Sequence, residues 1–167
     1  MRIIGIDPGY AIVGYGIIDY SSNHFSVVDY GAVTTKAHPP FDSRLSTIYD
    51  GLTQLISMYK PDAMSIEKLF FNTNTTTAID VAQARGVIVL AAAQGGLDIA
   101  EYTPLQVKQS VVGYGRAEKK QVQEMTRLML NLKSVPKPDD TADALALAIC
   151  HAHSAGSMLG RIKFNGG

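Results

Sequence analysis

The sequence predicts an α/β domain built on a five-stranded mixed sheet, with helices on both of its faces. The first third of the 167-residue chain consists of short apolar runs separated by turn residues, which is typical of β-strands. Beyond residue 40, segments with apolar residues at three- and four-residue steps alternate with short apolar runs. This alternation favours parallel strands that are joined by crossover helices.

Three strands are predicted before residue 40, over 2–7, 13–20 and 25–33. Pro8 and Gly9 end the first strand, and the turn-rich residues 21–24 separate the second strand from the third. Because the connections are short, we expect the three strands to form an antiparallel meander.

The remaining elements are predicted in the order αβαβαα. They are a helix over 41–59, a strand over 63–67, a helix over 78–94, a strand over 97–102 and helices over 118–131 and 139–154. Residues 104–110 are compatible with one short helical turn. The complete order, βββαβαβαα, predicts a single domain over residues 1–155 and a short C-terminal tail over 156–167.

Composition excludes some classes of protein. The chain has 15 basic and 15 acidic residues, so its net charge of zero gives no general argument for nucleic-acid binding. A single cysteine excludes an intramolecular disulfide and a cysteine-rich zinc site. Asp7 comes too early for a signal peptide, and the low-charge stretch 86–97 is short for a membrane span. We therefore expect a soluble, cytoplasmic protein with no membrane partner.

The zero net charge conceals two opposed regions. Residues 1–80 contain 5 basic and 8 acidic residues, whereas residues 81–167 contain 10 basic and 7 acidic ones. Seven of the basic residues, against two acidic ones, lie between Pro104 and Lys137, a stretch that we call the basic segment. This segment has the charge needed to contact phosphates.

Four acidic residues are candidates for a metal site. Asp7 and Glu67 each end an apolar strand, and Asp140 and Asp143 lie one turn apart on the same face of the last helix. Asp139 points elsewhere and is expected to be a first-turn or capping acid. If the four carboxylates converge, a hard divalent cation such as Mg²⁺ or Mn²⁺ is the natural counter-ion, and two such ions suit phosphodiester hydrolysis. Taken singly, each acid also fits a turn or a helix cap.

Several motifs, in order along the chain, resemble those of the RuvC family of Holliday-junction resolvases. They occur from residue 1 to about 153, which is nearly the whole chain. The motifs are Gly5-Ile6-Asp7-Pro8-Gly9 with Gly14-Tyr15-Gly16, Ile66-Glu67-Lys68-Leu69-Phe70, Gln83-Ala84-Arg85-Gly86-Val87, Gln106–Gly113, Ala117-Glu118-Lys119 and Asp140–Ala146.

The resemblance implies a ribonuclease-H-like fold, a homodimer, and Mg²⁺-dependent, paired symmetric nicking of like-polarity strands at a four-way DNA junction. It further implies a role in recombination and repair beside the RuvA–RuvB branch-migration complex. Asp7, Glu67, Asp140 and Asp143 match the family's catalytic metal-binding acids. Phe70 matches an aromatic residue that meets DNA bases, and Lys108 and Lys119 match basic residues near the scissile bond; Lys120 is a further candidate DNA contact.

Two other classes of function remain to be weighed. An actin-like sugar kinase or ATPase also begins with an acid-bearing strand, but it needs two such lobes, and this chain has no internal repeat. A non-catalytic junction-binding module is the other class. Such a module gains nothing from placing four carboxylates near phosphates, so the nuclease is the preferred interpretation.

Overall fold

A computed structural model describes residues 1–69 and 75–155 of the chain. Its strands are β1 (Arg2–Asp7), β2 (Ile12–Ser21), β3 (His24–Thr34), β4 (Ala63–Glu67) and β5 (Asp98–Tyr102). Its helices are α1 (Phe41–Tyr59), α2 (Thr75–Gln94), α3 (Pro104–Val112), α4 (Lys119–Met129) and α5 (Asp139–Ala155). The predicted tail, 156–167, and Phe70 lie outside the described residues.

The five strands form one mixed sheet in the order β3-β2-β1-β4-β5. Strands β1, β2 and β3 are antiparallel neighbours, whereas β4 is parallel to both β1 and β5. The predicted meander and the predicted parallel pairing are therefore both confirmed. The parallel pairing is the feature that matters for function, because it brings the carboxyl ends of β1 and β4 to the same edge.

Helices cover both faces of the sheet, as predicted. On one face Ile4, Ile6 and Ile66 pack with buried residues of α1 and α2, such as Leu52 and Ile88. On the other face, side chains of β1 and β2 pack with apolar residues of α3, α4 and α5, among them Ile3, Ile18, Val111, Val122, Leu145 and Ile149. The alternation of Ile3 and Ile4 between the two faces follows from the two-residue period of a strand.

One helix is missing from the predicted order. Residues 104–112 form a nine-residue helix rather than one short helical turn, so the observed order is βββαβαβααα. Thr103 caps this helix by accepting a hydrogen bond from the Gln106 backbone N–H at 3.1 Å, and the Gln106 side chain accepts one from the Thr103 N–H at 2.8 Å. This capping box, with Pro104 in the first turn, stabilises a helix that is otherwise short.

Helix α2 is more apolar than the prediction allowed. Its segment Thr76–Gln94 is long and apolar enough to cross a membrane, by length and composition only, and 22% of this apolar stretch is buried. The buried positions, which include Ala84 and Ile88, pack against the sheet and α1. Two large apolar residues of the helix, Ile79 and Leu90, are exposed in the described part of the chain.

Candidate active site

Asp7 and Glu67 are the last residues of two neighbouring parallel strands. Ile6 lies opposite Ile66 in the β1–β4 pairing, so the residue after each of them leaves the sheet at the same edge. The structure therefore brings these two predicted acids together, although they are 60 positions apart in sequence.

Helix α5 brings the other two acids to the same place because it lies directly on β1 and β2. Gly14 lies opposite Asp7 in the sheet, and a Cβ atom at Gly14 would overlap the backbone carbonyl of Asp140. A Cβ at Gly5 would likewise overlap the carbonyl oxygen of Ala144, one turn further along α5. The two glycines allow a close helix–sheet approach that no other residue permits, and this approach places the first turn of α5 beside Asp7.

Burial and mutual repulsion raise the pKa values of these acids. Burial, and then the charges of Glu67, Asp143 and Asp140, raise the pKa of Asp7 to about 8. Burial and the Asp143 charge raise the pKa of Glu67, and burial is also the main cause of the raised pKa of Asp143. The four predicted acids thus form one electrostatic cluster, the acid cluster, in which ionised carboxylates repel one another.

Lys119 is the cation that lies nearest the acid cluster among the described residues. Its Nζ is 3.2 Å from Oδ2 of Asp143 and 3.9 Å from Oδ2 of Asp139. Although burial opposes its charge, the hydrogen bond to Asp143 and the charges of Asp143, Asp139 and Asp7 raise the pKa of Lys119. Lys119 thus partly neutralises the acids, and its side chain remains 59% exposed to solvent.

The acid cluster has the donors of a divalent-metal site. Its carboxylate oxygens are the ligands that hard cations prefer, and a cation among them would relieve the repulsion that raises the pKa of Asp7. Within residues 1–69 and 75–155, however, no three Asp, Glu, His or Cys side chains already lie close enough together to hold an ion. By its chemistry, the donor set nevertheless fits a divalent metal.

Asp139 has the structural role expected of it. It is the first residue of α5, and its Oδ1 accepts a hydrogen bond from Lys137 Nζ at 2.8 Å. The resulting ion pair and the positive end of the helix satisfy its charge.

The other predicted DNA contacts are less closely tied to the acids. Lys108 is half-buried on α3 and Lys120 is exposed on α4. Neither forms an ion pair with the acid cluster among the residues that the structure describes. Phe70 comes three residues after the end of β4 in sequence and lies outside the described residues.

Arg85 belongs to the motif Gln83-Ala84-Arg85-Gly86-Val87, but nothing in the sequence connected it with the acids. Its Nε donates a hydrogen bond to the backbone carbonyl of Glu67 at 3.2 Å, and its Nη2 is 2.8 Å from Oε1 of Glu101. The signal that could have found it is an arginine within an apolar helix, since a largely buried guanidinium needs polar partners. The sequence does not tell which partners these are.

The fold and the acid cluster define a class: a ribonuclease-H-like nuclease domain with carboxylates at one edge of its sheet. A profile of the family described as "Crossover junction endodeoxyribonuclease RuvC" matches residues 3–151. The chain belongs to the RuvC family, which is a family of metal-dependent nucleases.

Individual relatives agree with this family over nearly their whole lengths. The crossover junction endodeoxyribonuclease RuvC of Ruminiclostridium cellulolyticum is 60% identical over 166 residues, which are 98% of this chain and 100% of that protein. The RuvC of Alkaliphilus metalliredigens is 64% identical over 154 residues, 92% of this chain and 94% of that protein. The structure of T. thermophilus RuvC in complex with a Holliday junction substrate superimposes with a TM-score of 0.88 at 33% identity, and the match covers 93% of this chain and 94% of that one.

Proposed function

We propose that this chain is a structure-selective DNA endonuclease that resolves Holliday junctions by paired symmetric nicks in strands of like polarity. Its cellular role is in recombination and DNA repair. Two observations together carry the proposal. The chain is 60% identical to a RuvC over 98% of its length, and an acid cluster lies at the carboxyl edge of its sheet. We further propose that residues 1–155 form a single nuclease domain, with 156–167 as a short C-terminal tail, and that the protein acts in the cytoplasm.

Asp7, Glu67, Asp140 and Asp143 are the proposed catalytic and metal-binding residues. We propose Mg²⁺ as the metal, with two ions in each active site and Mn²⁺ as a substitute. When bound, the ions supply activation of a water for in-line attack on phosphorus and charge stabilisation of the leaving 3′ oxygen. The products are then a 5′-phosphate and a 3′-hydroxyl end.

The part of the chain beside the acids supplies the cationic contacts. Lys119 is close enough to Asp143 to contact a phosphate that enters the acid cluster. Lys108 and Lys120 lie on α3 and α4 within the basic segment, and we propose that they hold the flanking DNA backbone. Direct attack by water needs no Ser, Cys or His nucleophile.

The experiment that tests this function compares two DNA substrates. The protein is incubated with Mg²⁺ and either a synthetic four-way junction or a linear duplex of the same sequence. We expect symmetric paired nicks in the junction only, with ends that a ligase can reseal. Equal cleavage of both substrates, or cleavage of neither, would contradict the proposal.

Phe70→Ala is expected to abolish junction cleavage while the fold and metal binding persist. The proposed reason is that the ring stacks on an unpaired base at the junction, a contact that contributes about 1–3 kcal/mol per base. Cleavage assays, circular dichroism and Mn²⁺ binding measure the three properties. Phe71→Ala is measured in parallel because the neighbouring ring is the alternative base contact, and unaltered cleavage by the Phe70 variant would remove the stacking role of Phe70.

A homodimer is proposed because paired nicks need two active sites, and α2 offers the surface for it. One face of α2 is exposed at alternating steps of four and three residues. The exposed positions are Ile79, Gln83, Gly86, Leu90 and Ala93. Ile79 is 59% exposed and Leu90 49%, and exposed apolar residues that share one helix face mark an interaction surface more clearly than apolar residues exposed singly. We propose that a second copy of α2 packs on this face about a two-fold axis.

Gly86→Glu is expected to convert the dimer to a monomer and to abolish paired nicking. A Cβ at Gly86 meets no atom of the described chain within 4 Å, so the substitution leaves the monomer fold intact. At a two-fold interface it places two carboxylates against each other. Analytical ultracentrifugation measures the change, and Met58→Glu, at an exposed apolar residue of α1, is the control. An unchanged dimer would refute this interface.

The RuvA–RuvB branch-migration complex is the proposed macromolecular partner, on the strength of the family resemblance. Junction cleavage by this protein in the presence and absence of its cognate RuvA–RuvB is the direct test. Faster or better oriented cleavage with the complex is the expected result.

A further inference from the structure

Arg85 joins three elements of the fold from the middle of α2. Its side chain is 11% exposed, and its two polar contacts are the carbonyl of Glu67 on β4 and the carboxylate of Glu101 on β5. A guanidinium that is this buried is stable only when its donors are matched by acceptors. The side chain is therefore held in one place by both contacts together.

The Glu67 carbonyl requires a donor from outside the strand ladder. The N–H of Lys68 donates to the Tyr102 carbonyl of β5 at 2.9 Å. In a trans peptide the C=O of the preceding residue points the opposite way, so the Glu67 carbonyl faces the β1 side. If the β1–β4 register continued, Pro8 would lie opposite this carbonyl, and proline has no N–H to donate. Arg85 supplies the missing hydrogen bond.

We infer that Arg85 is a positioning residue that fixes the peptide after Glu67 and thereby the direction of the Glu67 carboxylate. This inference rests on the proposed role of Glu67 as a metal ligand. The strand ladder ends at Glu67, so without Arg85 the peptide that follows it would be held on its β5 side only. Glu101 anchors the guanidinium and so sets the position of the donor.

The fork of the arginine side chain is essential to this role. One nitrogen contacts a backbone carbonyl and another contacts a carboxylate, and the rigid guanidinium plane fixes the distance between them. A lysine keeps the charge but carries a single nitrogen on a flexible stem. Arg85→Lys can therefore retain the ion pair with Glu101 or the contact with Glu67, but not both in the same geometry.

The test measures Mn²⁺ binding to the DNA-free protein by electron paramagnetic resonance. We expect Arg85→Lys to weaken Mn²⁺ binding by about tenfold, the scale on which residues that orient a metal ligand act. In the Glu67→Gln background the same substitution should change binding by no more than about twofold, because Arg85 acts through Glu67. With Mg²⁺ and a junction, kcat should fall while the affinity for the junction is unchanged.

Arg2→Lys is the matched control, because Arg2 has the same kind of contacts at the opposite end of β1. Its guanidinium pairs with Asp19 at 2.8 Å and donates to the Tyr59 carbonyl at 3.0 Å. We expect this control to leave Mn²⁺ binding unchanged. Glu101→Gln gives a second measurement if Arg85→Lys does not fold: it leaves Arg85 present, loosens its anchor, and should weaken Mn²⁺ binding severalfold.

The outcomes separate this inference from the proposed function. If Glu67→Gln weakens Mn²⁺ binding but neither Arg85→Lys nor Glu101→Gln does, the positioning role is wrong and the metal site stands. An equal loss from Arg85→Lys in both backgrounds means that Arg85 acts independently of Glu67, which also overturns the inference. If Glu67→Gln has no effect on binding, the metal site and the inference fail together.

Discussion

Replacing Asp7 by Asn is expected to abolish cleavage of four-way junctions and to leave junction binding intact or stronger. Asp7 lies at the centre of the acid cluster, where Glu67, Asp140 and Asp143 all act on its charge. The amide keeps the shape of the side chain but removes a charged metal ligand. We expect a rate reduction of about 1,000-fold or more, at the upper end for the loss of one preorganised electrostatic contact.

Binding is expected to survive because the substitution also removes a negative charge from a surface that receives phosphates. Rapid-mixing cleavage assays measure the first effect, and gel-shift titrations without divalent metal measure the second. Asp50→Asn, at an exposed acid of α1, is the control and should cleave normally. An Asp7→Asn enzyme with the wild-type nicking rate would remove Asp7 from the active site.

The metal-free protein is expected to lose stability as the pH rises from about 4 to about 8, and Asp7→Asn is expected to remove much of this loss. The pKa of Asp7 is raised to about 8, whereas an aspartate in the unfolded chain titrates near 4. Between these values the folded state binds more protons than the unfolded state, so the free energy of unfolding falls with increasing pH. The raised pKa values of Glu67 and Asp143 act in the same direction.

The measurement is the Tm of both proteins in a chelating buffer between pH 5 and pH 8.5. We expect the Asp7→Asn variant to gain about 3–6 °C relative to the wild type for each pH unit between pH 5 and about pH 8, since one pKa unit is worth about 1.4 kcal/mol. Acids elsewhere, such as Asp19, titrate equally in both proteins and cancel from the difference. Added Mg²⁺ should reverse the difference by stabilising the wild type more. A Tm difference that is constant with pH would contradict the assigned cause.

Much of the fold could be predicted because its signals are local. Apolar runs that end at Pro8-Gly9 or at an acid predict the strands. Apolar residues that recur every three or four positions predict the long helices. Helix α3 was underestimated because its stability comes from the capping box of Thr103 and Gln106 rather than from apolar periodicity. The apolar character of α2 was also underestimated, because Asp80 and Arg85 interrupt it in sequence.

The candidate site was predictable in its acids but not in its other charges. Two of the carboxylates were indicated by their positions at strand ends and the other two by their spacing of one helical turn. Lys119 was indicated as a DNA contact by the RuvC resemblance. Its ion pair with Asp143 depends on how α4 packs beside α5, and no pattern within either helix reports that distance. The contact between Arg85 on α2 and the Glu67 carbonyl on β4 is likewise not visible in the sequence, because the two residues are 18 positions apart and lie on different elements.

The sequence by itself determined the α/β class, the antiparallel meander and the acids that end β1 and β4, because each depends on neighbours within a few residues. It also determined the segregation of charge that makes a neutral chain compatible with DNA. The tertiary structure decided the rest: how closely α5 approaches Gly5 and Gly14, which cation balances the acids, and which side chain holds the Glu67 peptide. All three depend on distances between segments that are far apart in the chain. These distances are set by the packing of the complete core.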